Sequence, residues 1–96
     1  MNLTQRAHKG DKASELLNNE IFSDALTNVR QAILNAWQNC PIQDHHTQHE
    51  LKLMVRLLTD LETNIRAFVQ DGNMAKFEIE QQRKRDEQKK KVARFL

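Results

Sequence analysis

Apolar residues recur at helical spacing in two long stretches of this chain. Between Glu50 and Val69, steps of three and four positions place an apolar stripe along one side of a helix: Leu51, Met54, Leu58, Leu61, Ile65 and Phe68. Between Glu20 and about Asn39, the same steps recur in Phe22, Leu26, Val29, Ile33, Ala36 and Cys40. Both stretches are therefore predicted to form amphipathic helices.

The segment between the two stripes predicts how the helices are connected. Pro41 cannot continue a helix, so residues 40–44 form a short connection, and a connection this short usually joins antiparallel neighbours. Either Asp44 or Thr47 can cap the second of these helices. On its polar side, the spacing predicts two supporting ion pairs, Arg56 with Asp60 and Glu62 with Arg66.

The regions before and after these helices carry weaker signals. Residues 1–10 are polar and are predicted to be loose, with a break at Gly10 and a short helix from Asp11 to Asn18. Asn18 and Asn19 indicate a joint, because asparagine competes with helix backbone bonds and caps helices well. Residues 71–73, Asp-Gly-Asn, predict the end of the long helix. After that end, Met74 and Phe77 are predicted to fold back on the core.

Charge is distributed unevenly along the chain. Residues 1–75 carry seven basic and nine acidic side chains, whereas residues 76–96 carry eight basic and four acidic ones. Residues 80–91 contain no apolar side chain, so packing does not explain this run. Its candidate contacts to nucleic acid or to an acidic partner are Arg83, Lys84, Arg85, Lys89, Lys90, Lys91 and Arg94.

Three interpretations of this basic tail remain open. It can be a solvated helix whose charges are partly compensated by Asp86 and Glu87. It can bind phosphates without sequence preference, since no aromatic residue lies among the charges to stack on bases. It can also be a peptide-like anchor whose apolar tip, formed by Val92, Phe95 and Leu96, enters a groove on a partner protein.

Together these signals predict an all-α fold and a single helical domain over residues 1–96. We expect a flexible segment at 1–10, a helical core at 11–71 that contains a short N-terminal helix and an antiparallel hairpin of two long helices, and a basic C-terminal helix at 73–96. Two glycines and one proline argue against a loop-rich or all-β chain. Because Leu53, Val55 and Leu57 flank the main stripe, we expect self-association or docking on a larger assembly. No apolar run is long enough to cross a membrane.

Few residues could form a disulfide, bind a metal or take part in catalysis. Cys40 is the only cysteine, which excludes an internal disulfide and a cysteine-based zinc site. His45, His46, His49 and Glu50 form the only metal-like cluster, but too few ligands converge, so no metal or cofactor is predicted. Nucleophile elbows, phosphate loops and the HExxH pattern are all missing, so we predict that the protein is not an enzyme. Trp37 and Cys40 are predicted to be core residues.

Four segments resemble small helical proteins encoded by tailed bacteriophages: residues 13–22, 32–37, 51–55 and 69–75. The shared pattern is a short helix that ends at an asparagine joint, a helix with a late tryptophan, a polar loop, a Leu/Met-rich helix and a basic tail. Members often have proline after the joint asparagine, where this chain has Glu20.

The resemblance implies a non-enzymatic structural, assembly or DNA-packaging component of a phage particle, in contact with itself or with other particle proteins. The alternative is a small phage-encoded regulator that binds and inhibits a host protein. Either role places the protein in the virion or the host cytoplasm.

Overall fold

The protein is built from three α-helices: α1 (Leu3–Leu17), α2 (Glu20–Gln38) and α3 (His45–Phe95). The structure is a computed structural model that describes residues 1–95, and Leu96 lies outside the described residues. Within residues 1–95 there is no β-strand. The prediction of an all-α fold is therefore confirmed.

Helix α1 begins much earlier than the sequence pattern indicated. The side-chain oxygen of Asn2 accepts a hydrogen bond from the backbone N–H of Gln5 at 2.8 Å, and the Gln5 side chain accepts one from the Asn2 N–H at 3.1 Å. This reciprocal capping box satisfies two N–H groups that a helix start leaves without partners. The predicted loose segment at residues 1–10 and the predicted break at Gly10 are therefore wrong, because the helix runs through Gly10 to Leu17.

Asparagine and aspartate side chains set the starts of the other two helices. The Asn19 side chain accepts a hydrogen bond from the Phe22 N–H at 2.9 Å, so the predicted joint is present and α2 begins at Glu20. At the start of α3, the Asp44 carboxylate accepts hydrogen bonds from the backbone N–H of Thr47 at 3.1 Å and from its hydroxyl at 2.7 Å. These bonds lower the pKa of Asp44. Of the two predicted caps, Asp44 is the one used.

Helix α2 runs antiparallel to the first part of α3. The early residue Phe22 lies near Arg66, Arg30 contacts Glu62, and the late residue Trp37 lies near Leu51. The Arg30 Nη1 and Glu62 Oε1 atoms are 2.9 Å apart. The predicted ion pairs of Glu62 with Arg66 and of Arg56 with Asp60 are absent from the described residues. Glu62 binds Arg30 on the neighbouring helix instead of Arg66.

Helix α3 does not end at residues 71–73, so the predicted separate C-terminal helix is wrong. It continues for 51 residues to Phe95, and Gly72 keeps an ordinary helical backbone with no positive φ angle. Gly72 lies against Gly10 of α1, and a Cβ atom built on either glycine would lie 2.6 Å from the other's Cα. The glycine therefore provides room for a helix crossing rather than a left-handed stop. Because α3 runs on, Met74 and Phe77 remain more than half exposed and do not fold back.

Charged side chains surround the crossing of α1 and α3. Arg6 binds Asp71 through two nitrogens, with an Nη2–Oδ1 distance of 2.8 Å and an Nε–Oδ2 distance of 3.1 Å. Lys76 pairs with Asp11, and the Lys9 ammonium lies 4.7 Å from the centroid of the Phe68 ring. Hydrogen bonds from Arg6 lower the pKa of Asp71, so the carboxylate stays ionised at pH values where an isolated aspartate begins to protonate.

The helices bury very little between them. Only Ala13, Leu51 and Ala75 are buried apolar side chains, and no large side chain in residues 1–95 is fully buried. The molecule measures 81 × 25 × 17 Å and exposes 7946 Å². Size scaling gives about 5,700 Å² for a compact monomer of this mass. The protein is therefore an elongated set of helices with a thin core.

We expect Gly72→Ala to destabilise the protein by about 1–3 kcal/mol, the usual cost of adding a group to a closely packed contact. In an open helix the same change stabilises by about 1 kcal/mol, so the sign distinguishes the two situations. Urea unfolding followed by far-UV circular dichroism measures the change, and amide exchange should show α1 losing protection. Asn73→Ala, at the exposed neighbouring position, is the matched control. Equal or greater stability of Gly72→Ala would contradict the close crossing.

Candidate interaction surfaces

The predicted nucleic-acid contacts all lie on the last four turns of α3. Every residue from 82 to 95 is exposed, so this segment extends beyond the parts of α3 that α1 and α2 cover. Positive charge near a helix C-terminus is favourable because the last carbonyls carry partial negative charge. That effect is confined to the last turn, whereas the basic run reaches back to Arg83. Helix stability alone therefore does not account for the run.

Arg83 differs from the other basic residues of this segment. Its guanidinium lies 2.6 Å from a Glu80 oxygen and 2.5 Å from a Glu87 oxygen. Hydrogen bonds from Arg83 lower the pKa of Glu80, so this acidic partner stays charged. The other six candidates form no ion pair within residues 1–95: Lys84, Arg85, Lys89, Lys90, Lys91 and Arg94. These six side chains carry the uncompensated charge of the segment.

The long apolar stripe predicted for α3 is divided in the structure. Leu51 is buried, and Leu58 and Ile65 are half-buried. The remaining members of the stripe, together with Leu57, are exposed by between 44% and 68%: Met54, Leu57, Leu61 and Phe68. One neighbouring helix covers only part of a wide apolar face, so the second set stays open to solvent. We call these four residues the outer stripe.

The predicted docking residues do not form one surface. Leu53 and Leu57 lie beside or within the outer stripe, whereas Val55 projects about 200° away from Leu53 around the helix. Val92 and Phe95 are 59% and 90% exposed near the end of α3, and Leu96 lies outside the described residues. The structure therefore separates the predicted set into the outer stripe, the terminal apolar pair and Val55.

Val55 belongs to a groove between the end of α2 and the start of α3. The groove has a volume of about 800 Å³ and an apolar floor made of five side chains: Ile33, Leu34, Trp37, Leu51 and Val55. Trp37 is 55% exposed, so its prediction as a core residue is wrong. Cys40, also predicted to be in the core, is half-buried, and desolvation raises the pKa of its thiol. We call this feature the Trp37 groove.

Basic and neutral polar side chains surround the Trp37 groove. His45, His49, Lys52 and Arg56 follow α3 at steps of four, three and four, so they form one row along the groove. Arg30 lines it from α2 and binds Glu62, and no acidic side chain is among the residues that line the groove. Lys52 and Arg56 form no ion pair within residues 1–95. The groove is therefore apolar at its floor and positive at its edge.

The histidine cluster at the start of α3 contains one close pair. His46 Nε2 and Glu50 Oε1 are 2.9 Å apart, and both side chains are exposed. Among residues 1–95, no three side chains of histidine, cysteine, aspartate or glutamate come together as metal ligands would. His45 and His49 lie instead along the edge of the Trp37 groove.

Comparisons with known proteins found no relative of this chain. No protein-family model, curated protein or solved structure matches the chain. The resemblance to small phage proteins therefore stays a prediction. Over residues 1–95, none of the helices combines the length and apolar character that a membrane span requires.

We expect Lys89→Gln/Lys90→Gln/Lys91→Gln to weaken binding to unrelated DNA duplexes equally and to reduce the salt dependence by about two to three units of slope. The physical reason is that these side chains would contact phosphates and release counterions. The matched control is Lys12→Gln/Lys52→Gln/Arg56→Gln, which removes the same charge from the rest of the molecule. Mobility-shift titrations at several salt concentrations measure both. Equal losses in the two variants would contradict a local phosphate contact, as would no complex with the unaltered protein at low salt.

Proposed function

We propose that this protein is a non-enzymatic structural or assembly component that acts through helix–helix contacts, as part of a bacteriophage particle or its DNA-packaging apparatus. The observation that carries the proposal is the absence of any fully buried large side chain within residues 1–95. A chain that leaves many large apolar side chains exposed gains stability by covering them in an assembly.

The exposed area gives the scale of the missing contacts. The chain exposes 7946 Å², which is about 2,200 Å² more than a compact monomer of the same mass. Stable obligate interfaces bury roughly 1,000–2,500 Å² on each partner. Part of the excess belongs to the charged end of α3, and the remainder includes the apolar outer stripe.

The outer stripe has the spacing of a coiled-coil seam. Met54, Leu57 and Leu61 are separated by three and four positions, and Phe68 follows seven positions later. A second copy of α3 packed along this seam would cover the same residues on both chains, as a two-fold interface requires. Asn64 lies at the intervening seam position, and an asparagine there can fix the register of pairing. The observations therefore favour a homo-oligomer built on α3.

The placement in a phage particle has two supports. The four segments described above resemble small helical phage proteins, and the uncompensated basic side chains are concentrated at one exposed end of α3. In a particle that encloses DNA, such an end can contact phosphates while the outer stripe holds copies together. The basic end would then provide non-specific DNA contact without a recognition helix.

We expect Leu57→Glu/Leu61→Glu to convert the oligomer to a monomer at micromolar concentration. Each leucine that loses its burial costs about 1.5–3 kcal/mol of association free energy, which corresponds to about tenfold or more in Kd. Thr63→Glu/Thr59→Glu adds the same charges to the same helix away from the seam and is the matched control. Sedimentation velocity measures the oligomeric state. A monomeric unaltered protein, or equal effects of both double variants, would contradict the seam.

We expect the protein to be present in several copies in purified particles of a phage that carries its gene. Quantitative mass spectrometry of particles banded in a density gradient measures the copy number. Host proteins of similar abundance in the lysate are the control, because they show how much unrelated protein co-purifies with the particles. A copy number no higher than that of those host proteins would contradict the particle placement. The sedimentation test of the coiled-coil seam does not depend on this result.

A further inference from the structure

We infer that the Trp37 groove binds an acidic amphipathic helix of a partner protein. This inference goes beyond the proposed function and does not depend on self-association. Val55 lies in the groove and projects about 200° away from Leu53, which borders the outer stripe. A partner can therefore bind the groove while copies associate through the stripe.

The shape of the groove fits a helix. It follows α2 and α3, with Leu34 and Trp37 from one helix and Leu51 and Val55 from the other. Trp37, Leu34 and Val55 are 55%, 44% and 39% exposed, so they present apolar surface that a ligand can cover. A helix bound between two helices places anchors at i, i+3 or i+4, and i+7 on such a floor. The volume of about 800 Å³ accommodates several anchoring side chains.

The charge at the edge selects the chemistry of the partner. Lys52 and Arg56 are four positions apart on α3, and His45 and His49 extend the same row. With no acidic side chain lining the groove, glutamate or aspartate beside the anchors would meet the positive charges of Lys52 and Arg56. A basic ligand would meet like charge, which costs affinity and slows association.

The same charge pattern argues against α1 and the end of α3 as the ligand. Residues 82–95 are the freely exposed part of α3 and are predominantly basic. Helix α1 carries three basic residues against the two acidic residues Asp11 and Glu15, so it is not acidic overall, and it is already packed against α3 at Gly72. Neither segment offers the acidic, apolar-striped surface that the groove complements. Helix α2 forms one side of the groove itself, so the ligand is assigned to a different protein.

Trp37 makes the groove directly observable, because it is the only tryptophan in the chain. The probe is a synthetic 18-residue helix with leucine at positions i, i+3, i+4 and i+7 and glutamate along both sides of that stripe. The matched probe has lysine at every glutamate position. We expect the acidic probe to shift Trp37 emission to the blue and to bind about tenfold or more tightly than the basic probe. Raising the salt concentration should reduce this difference.

Two charge-reversed variants locate the binding. Lys52→Glu/Arg56→Glu should exchange the preference, so that the basic probe binds more tightly than the acidic one. Lys89→Glu/Lys90→Glu changes the net charge by the same amount at the far end of α3 and should leave the preference as it is. The inference is overturned if both probes bind equally, if neither moves the emission, or if both variants behave alike. The inference would also be overturned if Trp37 emission shifted to the blue as the protein concentration rose with no probe present, since a second copy would then cover the groove.

Discussion

The contact between Gly10 and Gly72 determines where α1 lies, and the organisation of the molecule depends on it. With a Cβ on either glycine only 2.6 Å from the opposite Cα, the two backbones can approach this closely only without side chains. Ala13 and Ala75, both buried, extend the contact with the smallest side chains available. Close backbone approach then brings Arg6 to Asp71 and Lys76 to Asp11, so the ion pairs follow from the crossing. Helix α1 thus covers the middle of α3, α2 covers its beginning, and its end stays open.

The elements that could be predicted from the sequence are those in which local chemistry and packing agree. Asn19 as a cap, Glu20 as the first residue of α2 and Asp44 before α3 all follow from capping preferences that the structure uses. Gly10 and Gly72 could not be assigned in the same way, because glycine serves both as a helix stop and as a site of close helix contact. Only the position of the other helix distinguishes these roles. Asn2 and Gln5 did carry a readable signal, since their spacing matches a capping box.

The candidate surfaces were predictable to different degrees for a related reason. The basic run from Arg83 to Arg94 is visible in the sequence. The pairing of Arg83 with Glu80 and Glu87 also has helical spacing, but the structure is needed to show which pairs of such spacing form. The Trp37 groove was not found, because an apolar stripe at helical spacing does not show which members a neighbouring helix covers. One signal was available: Leu34 lies outside the stripe that contains Val29, Ile33 and Ala36, and Trp37 follows three positions after Leu34. Two large apolar residues displaced together from a stripe indicate a second surface.

The uninterrupted length of α3 also gives the molecule a fixed internal distance. From Lys52 at the groove to Lys90 near the basic end, an α-helix rises about 57 Å. A single inserted or deleted residue between them would change that distance by about 1.5 Å and turn one end relative to the other by about 100°. The helix therefore fixes both the distance between the groove and the basic end and the angle between them around the helix axis. Because no loop within α3 can absorb such a change, partners at the two ends would be held at one spacing and one orientation.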